Sequence, residues 1–253
     1  MNAMNALAFP AGVIIASLAS TVGIGGGILW MPFFILILKL SPETAVVTSL
    51  LVQTAGMGSG SVAFIRKKTA DLHLSAFLLL LTLPGLGLGA LMTRSLSAAN
   101  LELALGILTL TTAFLFVSAN QKYSEKGRDR VPLKGLRRHG WVVSVLSLAS
   151  GMLSVSVGEW MVPLMRNRMK LRMRVAVATS IVTVFGTCIA GSLFHLMLGA
   201  SPDLVILTWA APGVIVGGQI GPRFTERINE RMLKEVFIFL LTLIGIHLIY
   251  NSY

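Results

Sequence analysis

Apolar residues dominate ten stretches of the chain, roughly 6–22, 27–38, 43–65, 73–93, 101–119, 140–156, 158–165, 175–198, 203–221 and 234–250. A helix that crosses a bilayer needs about 20 predominantly apolar residues. On that measure 43–65, 73–93, 101–119, 175–198, 203–221 and 234–250 are full crossings. The other stretches come as two pairs, 6–22 with 27–38 and 140–156 with 158–165. Each pair has a short member and is interrupted by Gly or Ser. Each is therefore expected to be a broken helix, or two half-helices, turning within the membrane. One long polar stretch, QKYSEKGRDRVPLKGLRRHG at 120–139, separates the two sets. The pattern predicts an all-α integral membrane protein of two membrane repeats, 1–119 and 140–253, each with a broken or re-entrant helix pair and three full transmembrane helices.

The repeat is also visible residue by residue. At a shift of 131, Gly27 meets Gly158, Pro32 meets Pro163, Lys39-Leu40 meets Lys170-Leu171, Ala45-Val46 meets Ala176-Val177 and Thr48-Ser49 meets Thr179-Ser180. These are 8 identities in 23 ungapped positions, where so biased a composition gives roughly 2 by chance. Gly60-Ser61 meets Gly191-Ser192, and after a small length change Pro84-Gly85 meets Pro212-Gly213. Each half carries an odd number of net crossings, so the second is expected to be inverted relative to the first. Secondary transporters recurrently use such inverted repeats.

Composition agrees with the bilayer reading. Of 253 residues 55% are hydrophobic and only 12% charged, whereas a soluble domain carries about 25% charged residues. Lipid solvates such a surface; water does not. The net charge of +11 is a matter of topology. Of 21 Lys and Arg, 19 fall in four clusters, at 66–68, 122–138, 166–174 and 223–234. If each broken pair returns to the side it entered from, all four lie on one face. The positive-inside rule makes that face cytoplasmic. Both termini are then extracytoplasmic and 120–139 is a cytoplasmic linker. A nucleic-acid partner is not expected, because no basic patch has interleaved aromatics. The N-terminus lacks a basic start, so its apolar stretch is expected to be retained. Cys188 is the sole cysteine, so a disulfide framework is not expected. Nothing has metal-ligand spacing, and no cofactor is expected.

Three motifs could carry chemistry. The first is Gly23-Ile24-Gly25-Gly26-Gly27, followed by Pro32. Glycines in such density break a helix and let a ligand approach the backbone. A helix restarting after them turns free N–H groups and a positive dipole end towards a cavity, which suits an anion. Close packing through small residues is the plainer alternative. The second is Ser154-Val155-Ser156-Val157-Gly158-Glu159-Trp160, followed by Pro163. Glu159 alone among the acidic residues sits inside a broken membrane segment, where a carboxylate is costly and by default functional. It is a candidate proton carrier or substrate ligand, against a structural role capping the turn. The third is the recurring pair Thr48-Ser49 and Thr179-Ser180, with Gln53 one turn after Ser49 on the same face. Their hydroxyls can bond an oxyanion or simply their own helix. Trp30 and Trp160 stand beside the breaks. His195 and His247 are expected to be packing groups.

In GIGGGILWMPFF, AVVTSLLVQTAGMGSGSVAF, SVGEWMVPLM and AVATSIVTVFG the sequence resembles the TauE/SafE family of membrane transporters across essentially its whole length. The resemblance implies export of sulfite, sulfoacetate or other organosulfonates across the bacterial inner membrane. No nucleotide-binding motif is present, so an ion gradient is the expected energy source. The second half departs from the duplicated glycine motif, with SVSVGE in its place. Glu159 is thus the expected coupling residue. The expected substrate contacts are Gly25, Gly26, Gly27, Trp30, Thr48, Ser49, Gln53, Ser156, Gly158, Glu159, Trp160, Thr179 and Ser180. The expected partners are a small anion and the lipid bilayer, and a homodimer is kept open. An anion channel or passive subunit is the alternative. An intramembrane hydrolase built on Ser154 or Ser156 with a membrane His is a remoter one, since neither Ser has a G-x-S-x-G context.

Overall fold

The computed structural model describes residues 3–118, 127–131, 140–155, 157–224 and 230–251. Among them the chain is all helix, apart from one isolated bridge between Arg128 and Leu171. The first half holds α1 (Ala3–Ala6), α2 (Ala8–Val22), α3 (Gly27–Pro32) with a π-helical turn at Phe33–Ile37, α4 (Pro42–Arg66), α5 (Leu72–Ser95) and α6 (Ala98–Ser118). The second holds α7 (Gly140–Leu153), α8 (Gly158–Asn167), α9 (Met173–Met197), α10 (Leu204–Phe224) and α11 (Glu230–Asn251). Both expected breaks are present, at 23–26 and after Leu153. Local chemistry sets several ends. Ser41 caps α4 ahead of Pro42, its Oγ accepting from Thr44 N at 3.4 Å. Asp71 caps α5 and accepts from Leu74 N at 3.2 Å. Such caps satisfy N–H groups that the helix itself leaves open.

Among the described residues five segments are long and apolar enough to cross a membrane: Met4–Val22, Leu72–Ser95, Ala98–Leu115, Met173–Met197 and Leu204–Gly221. This set differs from the one read off the sequence at three places, one being 234–250, expected as a full crossing, of which Ile238–Asn251 is a shorter apolar helix. The stretch 6–22, expected as one arm of a broken pair, is itself long enough. The stretch 43–65 forms the 25-residue α4 but is not among the apolar five. It spends its length on Thr48, Ser49, Gln53, Gly56, Gly60 and Ser61, all buried inside the bundle. A helix that faces protein does not need the hydropathy of one that faces lipid.

The packing repeats under exchange of the halves. α2 packs on α10 as α7 packs on α5. α4 packs on α10 as α9 packs on α5, and α3 on α4 as α8 on α9. The remaining major contacts pair equivalents, α4 with α9 and α6 with α11. α4 and α9 run antiparallel, since Leu50 lies against Gly191, Gly58 against Phe185 and Ser61 against Ile181. α6 and α11 do the same, with Gly106 against Ile249 and Leu110 against Gly245. α2 and α10 run parallel, with Gly213 and Gly217 against the carbonyls of Phe9 and Val13. Small residues spaced by four let these backbones approach closely.

Helix direction also sorts the charge. α4 and α10 are parallel, with Gly56 against Val214 and Gly60 against Gly218, and both end in arginine, at Arg66 and Arg223. Antiparallel α9 begins at that same end, next to Arg172 and Arg174. Of the central basic stretch, 127–131 is described. It lies on the connection before α9, with Arg128 N donating to Lys170 O at 2.8 Å and Arg172 N to Arg128 O at 3.0 Å. An exposed ion pair joins Arg172 to Asp129 at 3.2 Å.

Candidate functional site

The backbone itself marks the two breaks as equivalent. Gly23 closes α2 in the left-handed conformation at φ 87°. Ser154, 131 residues later, stands after α7 at φ 56°. Lys39 and Lys170, at φ 57° and 55°, are separated by the same 131 residues, as are Lys68 and Gly199, at 53° and 87°. Left-handed backbone costs a residue with a Cβ about 1–2 kcal/mol. Gly23 escapes that cost and Ser154 does not. A strained residue persists only where its surroundings hold it.

What holds Ser154 is the central helix of the other half. Gln53 Nε2 donates towards Ser154 Oγ at 2.8 Å, Ser154 O at 3.1 Å and Ser49 Oγ at 3.0 Å. Ser154 Oγ donates to Ser49 Oγ at 3.0 Å. Cys188 Sγ lies 4.0 Å from Gln53 Oε1. Ser49, Gln53 and Ser154 are all at most 1% exposed. Gly27 completes the cluster. A Cβ there would meet the Ser154 carbonyl oxygen and stand 2.9 Å from Gln53 Nε2. Glycine at 27 is thus a condition for the two breaks to touch. On the other side Ser180 Oγ donates to Gly23 O at 2.7 Å. Each central helix therefore reaches with its repeated serine into the break of the opposite half.

The repeated threonines do something else. Thr48 Oγ1 accepts from Asp203 N at 2.9 Å, and Thr179 Oγ1 accepts from Asp71 N at 3.0 Å. Both aspartates stand where the next outer helix begins, Asp203 Oδ1 accepting from Ile206 N at 2.9 Å. Each threonine thus ties its helix to the start of a helix in the other half.

The structure brings Gly27, Ser49 and Gln53 together and separates the threonines from them. Gly25 and Gly26 lie in the first break, and Gly158 opens α8. Trp30 is 1% exposed and packs in an aromatic cluster, with its ring centroid 5.7 Å from Phe33 and 5.0 Å from Phe34. Trp160 is half-buried. Ser156 lies outside the described residues. So does the side chain of Glu159, whose backbone is in α8. Ser154 is not among the contacts expected from the sequence. Its signal is nonetheless there: it occupies, at the shift of 131, the place of Gly23. Its Oγ meets Ser49 and Gln53, while His195 Nε2 lies 2.7 Å from Gly151 O. The described geometry thus contains no Ser154–His pair of the kind a hydrolase needs. A groove of about 520 Å³ lies elsewhere, between α4 and α10.

These features define a multi-pass helical membrane protein whose buried polar groups gather where two broken segments meet. The family model described as sulfite exporter TauE/SafE matches residues 8–248. The chain belongs to that family of membrane transporters. It is 26% identical to the "Probable membrane transporter protein YunE" of Bacillus subtilis, over 95% of this chain and 96% of that one. It is 23% identical to the "Probable membrane transporter protein YjnA" of the same organism, over 90% and 94%. It is also 36% identical to the "Probable membrane transporter protein MamO" of Paramagnetospirillum magneticum, over 36% of this chain and 16% of that one. No solved structure matches.

Proposed function

We propose that the chain is a secondary transporter that exports small sulfur-containing anions, sulfite or organosulfonates such as sulfoacetate, across the bacterial inner membrane. The observation that carries this is the cluster at the meeting of the breaks. Ser49, Gln53 and Ser154 bring hydroxyl and amide donors to the N-terminal end of α3, beside Gly25, Gly26 and Gly27. Such a set can coordinate oxyanions without a countercharge. Here the donors satisfy one another, as the closed state of such a site requires. Ser180 and Gly23 form the corresponding contact, while Thr48 and Thr179 hold the frame.

The duplication is read as inverted. Antiparallel equivalents α4 with α9 and α6 with α11 support this, as does the gathering of Arg66, Arg174 and Arg223 at one end. That end is assigned to the cytoplasm, which puts both termini outside. Rocking of the halves would part Gly27 from Ser154 and open the donors to one side at a time.

A panel of sulfite, sulfoacetate, taurine and non-sulfur carboxylates, assayed for flux in proteoliposomes with and without a pH gradient, tests this. Uphill movement of sulfite or a sulfonate driven by the gradient is expected. Movement that is never uphill identifies a channel, and no flux of any sulfur anion removes the substrate assignment. Glu159 is assigned to proton coupling. The substitution Glu159→Gln should flatten the pH profile of uphill flux and lower it at least about tenfold at its optimum. An unchanged profile removes that role.

A further inference from the structure

The groove of about 520 Å³ between α4 and α10 lies apart from the polar cluster and is lined chiefly by Thr54, Gly58, Val62, Ile215, Gln219 and Arg66. Its flank is outward-facing: Val62 is 44% and Ile215 48% exposed. Three features bear on its occupant. The first is charge. The parallel helices end together in Arg66 and Arg223, both exposed, and among the described residues neither has an acidic partner. Lys67 follows Arg66 directly. The second is a polar band partway along. Gln219 Nε2 donates to Ser59 O at 2.7 Å and Ser59 Oγ at 3.0 Å. Ser59 and Val62 lie four to seven residues before Arg66, about 6–10 Å along the helix. That matches the distance from a phosphate to the ester layer of a glycerophospholipid. The third is asymmetry. At the shift of 131, Thr54, Gly58, Val62 and Arg66 become Phe185, Ile189, Leu193 and Met197. The equivalents of Ile215 and Gln219 are Gly87 and Leu91. The duplicated flank thus lacks the polar band, with Ala190 and Leu91 in place of Ser59 and Gln219, and keeps a single cation, Arg94 at the end of α5, so that the band and the paired cations occur on one copy only.

We infer that this groove binds one anionic glycerophospholipid from the leaflet at the basic end. Its phosphate sits between Arg66 and Arg223, its ester groups at the Ser59–Gln219 band, and one acyl chain lies along Gly58 and Thr54. The groove gives the chain a lipid requirement independent of whichever anion it moves.

The test uses the full-length purified protein. Native mass spectrometry and thermal unfolding are run with added phosphatidylglycerol or phosphatidylcholine. Phosphatidylglycerol should be retained and should raise the unfolding temperature; phosphatidylcholine should do neither. Combining Arg66→Gln with Arg223→Gln should weaken phosphatidylglycerol retention roughly 10- to 30-fold. Thr54→Phe, which introduces the residue of the duplicated position, should weaken it while leaving both arginines. Arg94→Gln, at the end of α5, is the control and should change nothing. Equal retention by all variants, equal effects of the two lipids, or an equal loss in the Arg94 control each overturns the assignment. So does a dimer that Thr54→Phe dissociates, since the occupant would then be a second copy. Should the double variant not fold, Thr54→Phe against Arg94→Gln separates the same outcomes.

Discussion

The two breaks occupy equivalent places and solve the same backbone problem with different residues. Gly23 takes left-handed φ without a side chain and receives a hydrogen bond from Ser180 on its carbonyl. Ser154 takes the same conformation against its steric preference. It adds a hydroxyl that the opposite central helix engages through Ser49 and Gln53. One break is thus almost pure backbone and the other carries a side-chain donor. Where a fold demands a conformation that glycine supplies freely and serine occupies instead, the hydroxyl is the reason to look for function.

Three sets of substitutions sharpen the contrast. The largest effect is expected at Gly27, where the breaks touch. Gly27→Val drives a side chain into the Ser154 carbonyl and should cost about 3 kcal/mol, read as a fall in unfolding temperature or loss of protein from the membrane. Wild-type stability would mean the contact is loose. Next comes the reciprocal exchange. Gly23→Ser should cost about 1–2 kcal/mol, because φ is 87° and a Cβ would stand 3.0 Å from both Val162 Cγ2 and Val177 Cα. Ser154→Gly should be nearly neutral in stability. It relieves about 1 kcal/mol of strain and forfeits about 1 kcal/mol of hydrogen bonding. Its effect belongs in flux, where anion affinity should fall. Equal destabilisation by both exchanges would erase the distinction between the breaks. The smallest effect is at the threonines. Thr48→Val and Thr179→Val each remove one acceptor and should each cost about 1 kcal/mol, with flux per folded molecule unchanged. A flux defect in one and not the other would assign that threonine to the substrate.

Much of the architecture is legible in the string itself. The all-helical membrane class and the two breaks follow from hydropathy and from Gly and Pro placement, all local properties. Helical spacing puts Ser49 and Gln53 together, and they do meet. Recurrence singles out the threonines, but it cannot distinguish a repeated ligand contact from a repeated structural bond. Their partners are backbone N–H groups 155 and 108 residues away, and no spacing within a helix reports that. Ser154 stands in the second motif but is left out of the expected contacts, because serine is not the residue expected at left-handed φ. The repeat offset is the one clue, and it has meaning only once Gly23 is known to be left-handed. The α4/α10 groove is illegible because a groove is defined by the side chains its neighbours lack.

The exchange of partners between the halves bears on how the chain is made. α2 emerges from the ribosome well before the helix it packs on most extensively, α10, with seven of the described helices made between them. Thr48 likewise waits for Asp203. Until then α2 must reside in the bilayer or against the insertion machinery without its main neighbour. Docking of α2 on α10 is therefore a late event, after the helices that lie between them in the chain have been inserted.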